Sequence, residues 1–378
     1  MFYIAKPGGN YMYKSLKIFT LITLVVFMCS YTTYSVEPND SVSQTIDPPT
    51  GEITPTPEPM PSPAPTPAVQ LPAETISTPI PEQPAPGQPD EIQLQAASDF
   101  YNEVEAIVMK RIDSFYKNSG KGTLGIYIKE LNSGFEYEYN AEMTNPDNPK
   151  EGYFNSASTC KLLSAAAMYH MNSLGELELD KTYTDEITKS QYNLKKLLPR
   201  MISHSINDYF NITLRHLGSE HINDTLEKLG LKHSLVYSEI MPAQYSSVKN
   251  NIKRYGISRS PRTTPRDLGY VLDLLHAGKT FGADNDKLFV ESLLNNIYSN
   301  RLPAGIGYKS PVAHKTGTSS GEGVYNDAGI IFLEDNPYIM VVMSKGSGSN
   351  VQPLFRSITG EVYNYMKKRT DPQSSIPQ

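Results

Sequence analysis

Phe154-Asn155-Ser156-Ala157-Ser158-Thr159-Cys160-Lys161-Leu162-Leu163-Ser164-Ala165-Ala166-Ala167-Met168 is the stretch whose reading decides the fold. From Leu162 onward it is apolar enough for a buried helix. An S-x-x-K pattern, Ser158 to Lys161, stands at its mouth. Positions i and i+3 share a helix face, so the Lys161 amine can reach the Ser158 hydroxyl. A helix N-terminus adds a positive field and free amide donors. A neutral or proton-sharing lysine there can activate an otherwise weak nucleophile. Taken alone, Ser158 reads as simply as a helix N-cap. Two other S-x-x-K runs occur, Ser114–Lys117 late in a predicted helix and Ser246–Lys249 in a polar loop. Neither stands where an apolar helix begins.

Two further elements change that balance. Lys315-Thr316-Gly317 ends a predicted strand and runs into Thr318-Ser319-Ser320-Gly321. A second cation on a strand edge can hold an anionic carboxylate, and the amides of Thr318 and Ser158 can together form an oxyanion hole. Ser205-Ile206-Asn207 falls 47 residues after Ser158, between two predicted helices. Each element has a plain structural reading, helix capping or a glycine-rich turn. The three in this order are far more specific than any one.

Outward from these motifs, hydrophobic spacing predicts a helix over 96–117 and strands over 123–130 and 135–140, joined by the Asn132-Ser133-Gly134 turn. A polar loop with Asn145-Pro146 and Asn148-Pro149 precedes the apolar helix. Helices are expected near 191–202, 207–217, 220–229 and 286–298. Another starts at Thr264-Pro265, where Thr264 is a fit N-cap and Pro265 sits at the first helical position. Strands over 311–317, 326–333 and 338–344 and a helix over 352–368 end the pattern. The fold class is therefore α+β: a five-stranded antiparallel sheet flanked by helices, plus an all-helical subdomain. A cleft between the subdomains is where a small-molecule site belongs.

Composition narrows the function classes. The 378 residues carry 34 Lys+Arg against 40 Asp+Glu, a net charge of −6. No nucleic-acid partner is expected from that balance. Cys29 and Cys160 are the two cysteines, too few for a disulfide framework or a cysteine-built zinc site. Seven histidines form no His-x-x-x-His pair around a Glu, so neither a metal nor another cofactor is implied.

The N-terminal quarter is unlike the rest. Residues 1–35 hold Lys6, Lys14 and Lys17, no acid, and an apolar run from Ile18 to Cys29. That is the pattern of a signal peptide or, if retained, an N-terminal membrane anchor. The run is short of the ~20 residues a span needs. Thr33 and Ser35 offer small residues for cleavage. Residues 36–95 read as a proline-rich linker. Up to residue 90 it holds 16 of the 29 prolines, eight acids and no Lys or Arg. Such a chain cannot bury a core and extends as a spacer of at most ~170 Å. Export, with release or tethering at the cell surface, is the expected location. Residues 96–370 are the folded domain, expected as a monomer, and 371–378 a tail.

The motif set resembles that of the class A β-lactamase-like serine enzymes, relatives of the penicillin-binding proteins. The likeness runs over roughly 98–370. It includes Phe154-Asn155-Ser156-Ala157-Ser158, Leu214-Arg215-His216-Leu217-Gly218 and Thr263-Thr264-Pro265-Arg266-Asp267. Arg301-Leu302-Pro303-Ala304-Gly305, His314-Lys315-Thr316-Gly317-Thr318 and Asn326-Asp327-Ala328-Gly329 extend it. The resemblance implies a β-lactamase/transpeptidase-like fold. It implies Ser158 as acylated nucleophile, Lys161 in proton transfer and Ser205 as proton shuttle to the leaving nitrogen. Asn207 would contact the substrate amide, with Lys315 and Thr316 on its carboxylate. The substrate would be a small β-lactam or a D-Ala-D-Ala peptide. Departures matter too. Ile206 stands where the family has Asp, and the short connection before it leaves one rim of the cleft open. The family's hydrolases hold a water with a Glu in an E-x-x-L-N loop. Here the stretch reads Glu239-Ile240-Met241-Pro242-Ala243, with Tyr237 where an Arg usually stands and a long run on to Thr263. Glu239 is either the deacylation base or an exposed loop acid. A β-lactam hydrolase, a cell-wall peptidase or transpeptidase, and an acylated sensor all remain open.

Overall fold

The computed structural model describes residues 91–142, 152–240 and 261–369. The residues read as a signal peptide or anchor, the Asn-Pro loop, Ala243, the Ser246–Lys249 run and residues 371–378 lie outside the described residues, as does the stretch read as a spacer up to residue 90. The first helix, α1, spans Glu91–Lys117. It thus takes in 91–95, which the sequence reading gave to the linker. Ile92 and Leu94 there are exposed, so hydrophobic spacing carries no signal for that first turn. From Phe100 on the spacing is plain: Phe100, Val104, Val108, Ile112 and Phe115 form one buried stripe.

Strands β1 (Thr123–Glu130) and β2 (Glu136–Tyr139) form the predicted hairpin. Late in the chain come β7 (Val312–Ser319), β8 (Val324–Ile331) and β9 (Tyr338–Lys345). These five make one sheet in the order β2-β1-β9-β8-β7, and every pairing is antiparallel. β1 joins β9, so the hairpin from the start of the domain closes on the strands from its end. β7, which carries Lys315-Thr316-Gly317, is left at the edge.

The sheet is covered on both faces, and strand alternation sorts its side chains between two cores. Ile126, Ile128, Met340 and Val342 face α1 and the terminal helix α8 (Val351–Arg369). Tyr127, Ile339, Val341 and Met343 face the helical layer. That layer holds α2 (Cys160–Ser173), α3 (Leu194–Ser203), α4 (Asn207–Lys228), α5 (Pro265–Ala277) and α6 (Ala283–Leu294). A four-residue turn, α7 (Leu302–Gly305), precedes β7. Short strands β3 (Phe154–Asn155) and β6 (Arg262–Thr263) pair beneath the layer, and β4 (Thr182–Thr184) pairs with β5 (Gln191–Asn193).

Several boundaries differ from the sequence reading. α3 starts at Leu194 rather than 191, because Asn193 caps it by accepting from Lys196 N. The two helices expected on either side of residue 218 form one element broken at Gly218, whose φ of 78° is open to glycine. α6 stops at Leu294 rather than 298, where the Asn296 side chain turns the chain by accepting from Tyr298 N. Thr264 caps α5 as expected, accepting from Asp267 N at 3.1 Å.

Glu130, 4% exposed, locks the first strand to the last helix. It accepts from Arg369 at 2.8 and 3.2 Å, from Asn336 at 2.7 Å, and from Ser133. Burial alone would raise its pKa; these hydrogen bonds outweigh burial and hold it below the ordinary value. A lowered carboxylate pKa contributes stability that is present above the unfolded value and lost as pH falls through the folded one. Glu130→Gln is therefore expected to cost about 2 kcal/mol at pH 7. In urea melts the gap to the unmodified protein should narrow below about pH 4. A gap that persists unchanged at acid pH would contradict the ion-pair account.

Candidate active site

Ser158 lies in a 3₁₀ turn, Ala157–Thr159, ahead of α2 rather than capping it. The turn is held from below. Asn326 Nδ2 donates to Asn155 O at 2.9 Å and Ser156 O at 3.1 Å, and Ala157 N donates to Asn155 Oδ1 at 2.8 Å. Ala157 adopts φ 45°, a conformation an alanine takes only when its surroundings impose it. β7 passes close by because Gly317 has no side chain. A Cβ there would fall 2.6 Å from Ser156 O and 3.2 Å from Ser158 N. The strand edge and the serine turn are thus packed backbone to backbone.

Three elements converge on this turn. Lys161 Nζ lies 2.9 Å from Ser158 Oγ, 2.8 Å from Asn207 Oδ1 and 3.5 Å from Ser205 Oγ. Lys315 Nζ lies 2.9 Å from the same Ser205 Oγ and 2.8 Å from Thr316 O. Ser205 therefore bridges two amines from opposite walls of the cleft. Its φ of 56° is the second strained non-glycine conformation at the site. Strain at both residues marks where packing overrides local preference.

Both amines are buried, and among the described residues neither pairs with a carboxylate. Lys161 and Lys315 are each 0% exposed. Burial lowers the pKa of Lys161. Burial, then the neighbouring charge of Lys161, pushes Lys315 down to about 7. A neutral amine beside the Ser158 hydroxyl can accept its proton; a cation beside it can hold an anion. Phe210, one helical turn from Asn207, places its ring 5.8 Å from Lys161 Nζ.

Arg301 is a site residue that the sequence reading quoted without assigning it a role. It is 3% exposed. It donates to Thr318 Oγ1 at 2.6 Å, Asn326 O at 2.7 Å and Gly317 O at 3.4 Å. Burial lowers its pKa. A guanidinium bound to Thr318 adds positive potential on the strand that carries Lys315 and Thr316. Its position directly before the Leu302-Pro303 turn was the available signal. Asp327 fixes the strand behind it, accepting from Leu302 N at 3.0 Å and meeting His314 Nδ1 at 2.9 Å.

Glu239 makes a different set of contacts. Its carboxylate lies 3.4 Å from Arg215 Nη1. Arg215 also binds Asp185 in two-point fashion, at 2.7 and 3.1 Å. Burial raises the pKa of Glu239, against the opposing charge of Arg215. Asp185 feels the same burial, but its hydrogen bonds from Arg215 and Thr188 outweigh it and bring it down to about 2. Arg215 stands eight residues past Asn207 on α4, about 12 Å along the axis. The residue after Glu239, Ile240, is gripped through its backbone. Asn211, one turn after Asn207, donates to Ile240 O at 3.1 Å and accepts from Ile240 N at 2.8 Å. Tyr237 lies under the Arg262 guanidinium at 5.7 Å, and Leu235 and Arg262 exchange backbone hydrogen bonds at 2.9 and 2.8 Å.

Residues 106–366 match the model of a family described as the beta-lactamase enzyme family. Similar solved structures share the fold. One is titled "Structure of PBP-A", with a TM-score of 0.57 and 20% identity over 71% of this chain and 96% of that one. A beta-lactamase from Chitinophaga pinensis DSM 2588 gives 0.53 and 18%, over 71% and 99%. The TLA-1 extended-spectrum beta-lactamase gives 0.55 and 18%, over 69% and 98%. No curated protein matches.

The backbone contact between β7 and the serine turn is open to a direct test. Gly317→Ala forces a methyl group against Ser156 O. Overpacking of that kind is expected to cost about 2 kcal/mol in a urea melt. Unchanged stability would mean that the two backbones are not in contact.

Proposed function

The chain belongs to the beta-lactamase enzyme family and is a serine β-lactamase-like hydrolase; from that premise we propose that β-lactams acylate Ser158 and that the acyl-enzyme turns over slowly. The observation that carries the first half is the hydrogen-bonded chain from Ser158 through Lys161 and Ser205 to Lys315.

The substrate carboxylate enters a pocket lined by Lys315, Thr316 and Thr318, with Arg301 behind Thr318. Asn207 turns its amide toward the acyl side chain. A neutral Lys161 takes the Ser158 proton as Oγ attacks the β-lactam carbonyl carbon. The negative charge on the carbonyl oxygen is met by the amides of Ser158 and Thr318, which Gly317 allows to lie close together. The C–N bond of the ring then breaks. The proton passes from Lys161 through Ser205 Oγ to the ring nitrogen, leaving an ester on Ser158. The 3.5 Å step from Lys161 to Ser205 is the longest in that relay.

Deacylation needs a base that holds a water against the ester. Glu239 supports this role weakly, because its carboxylate is engaged with Arg215, which also binds Asp185. Ile240 is held by Asn211, one turn after the Asn207 that meets Lys161. A slowly hydrolysed ester also suits a second reading, a D-Ala-D-Ala peptidase or transpeptidase acting on cell-wall peptides. One relative, a mutant of PBP-A, has a structure titled as an acyl-enzyme complex with penicillin-G. Export through residues 1–35 and tethering on the proline-rich spacer belong to the same proposal and rest on sequence.

The two halves separate experimentally. Fluorescent penicillin is expected to label the protein and not Ser158→Ala, while a chromogenic cephalosporin changes colour slowly. Absence of label on the intact protein, or label retained by Ser158→Ala, contradicts acylation at this serine. Rapid colour change contradicts slow turnover.

Ile240→Glu places a carboxylate on the side of the Asn207 and Asn211 pair. It is expected to hydrolyse the preformed acyl-enzyme at least about tenfold faster, since a positioned general base contributes a factor of roughly 100 or more. If Glu239 is the working base instead, Ile240→Glu brings no gain and Glu239→Gln slows release.

A further inference from the structure

A second concavity lies outside the cleft, between the β4–β5 hairpin, α3 and α4. It encloses about 410 Å³ and is lined by Tyr192, Lys196, Leu197, Arg200, Tyr209 and Ile212, with polar groups from 190–193 at one rim. That volume falls in the range of ligand pockets. Leu197 and Ile212 are buried and form an apolar floor. Tyr192 and Tyr209 are half-buried walls. The hydroxyl of Tyr192 meets His216 Nδ1 at 2.8 Å, and its ring stacks on Tyr183 at 5.8 Å, so this wall is held rigid.

The cations at the rim set the site apart. Lys196 and Arg200 are one turn apart on one face of α3, where like charges destabilise a helix. Among the described residues neither forms an ion pair, although their neighbours do. Lys195 pairs with Asp180 at 3.1 Å and Arg215 with Asp185 at 2.7 Å. Two exposed cations kept together beside two aromatic rings, over an apolar floor, suit a ligand that has both rings and anionic groups. Amide and hydroxyl side chains at Gln191 and Ser190 suit the hydroxyls such rings carry.

We propose that this groove binds an acidic oligosaccharide, with sugar rings against Tyr192 and Tyr209 and carboxylate or phosphate groups on Lys196 and Arg200. The groove is distinct from the serine site. Tyr209 and Ile212 leave α4 on a different side from Asn207 and Asn211, which face Lys161 and Ile240. Occupancy therefore leaves Ser158 open, and the proposal stands whether or not Ser158 reacts with β-lactams.

The test is calorimetry on the full chain with three probes. Tetragalacturonate has rings and carboxylates, hexametaphosphate has phosphates without sugar rings, and chitotetraose has neutral rings. Tetragalacturonate is expected to bind, more weakly as salt rises, with chitotetraose at least tenfold weaker. Lys196→Gln/Arg200→Gln should lose tetragalacturonate binding by tenfold or more, and Tyr209→Ala by several-fold. Phosphates are the preferred charge if hexametaphosphate competes for the same residues. Failure of all three probes overturns the proposal, as does binding that survives the double substitution. Binding that is indifferent to Tyr209→Ala overturns the assignment of sugar rings.

Discussion

Two lysine amines are buried in one pocket with a single serine hydroxyl between them. Everything else about the site follows from how the protein makes that tolerable. A fully buried ammonium without a carboxylate partner is costly, and the usual response is loss of the proton. Here burial depresses both amines, and the charge of Lys161 depresses Lys315 further. The stable arrangement therefore holds fewer than two protons on the pair near neutral pH. An amine that gives up its proton can serve as a base, and Ser205 connects the two. An anionic substrate carboxylate would restore charge to Lys315 on binding.

The fold supplies this pocket through contacts that are themselves demanding. Lys161 comes from a helix in the all-helical layer and Lys315 from the edge of the sheet. They meet only because β7 can lie against the serine turn, which Gly317 permits. Ala157 and Ser205 are held at positive φ on either side. Strained residues persist where surrounding packing over-determines them. The two hydrophobic cores, one on each face of the sheet, provide that determination.

Much of this was legible in the sequence. The three motifs name the residues that converge, because their chemistry forces them to unusual places: a lysine in an apolar helix, a lysine and a glycine within an edge strand that runs on to Ser319, a serine between helices. Alternation marked the first two strands, and the antiparallel sheet expected to join them to the last three is the one observed. Other features were hidden for definite reasons. The first turn of α1 buries no apolar side chain. Arg301 acts through hydrogen bonds to Thr318 and two carbonyls, which no spacing encodes. The direction of Glu239 depends on Arg215 and Asp185, 24 and 54 residues earlier in the chain. The Arg215–Glu239 contact is made across elements that single-sequence patterns do not relate.

The pair of buried amines is most directly tested by nitrogen-15 NMR of the lysine side chains, followed from pH 5 to 11 in the resting protein. Assignment would come from Lys161→Met and Lys315→Met. The account predicts that at least one of the two titrates near pH 7 or below, and that removing Lys161 moves Lys315 upward. If both amines titrate with the exposed lysines near pH 10.5, they are not buried together, and the proton relay between Ser158 and Ser205 has no basis.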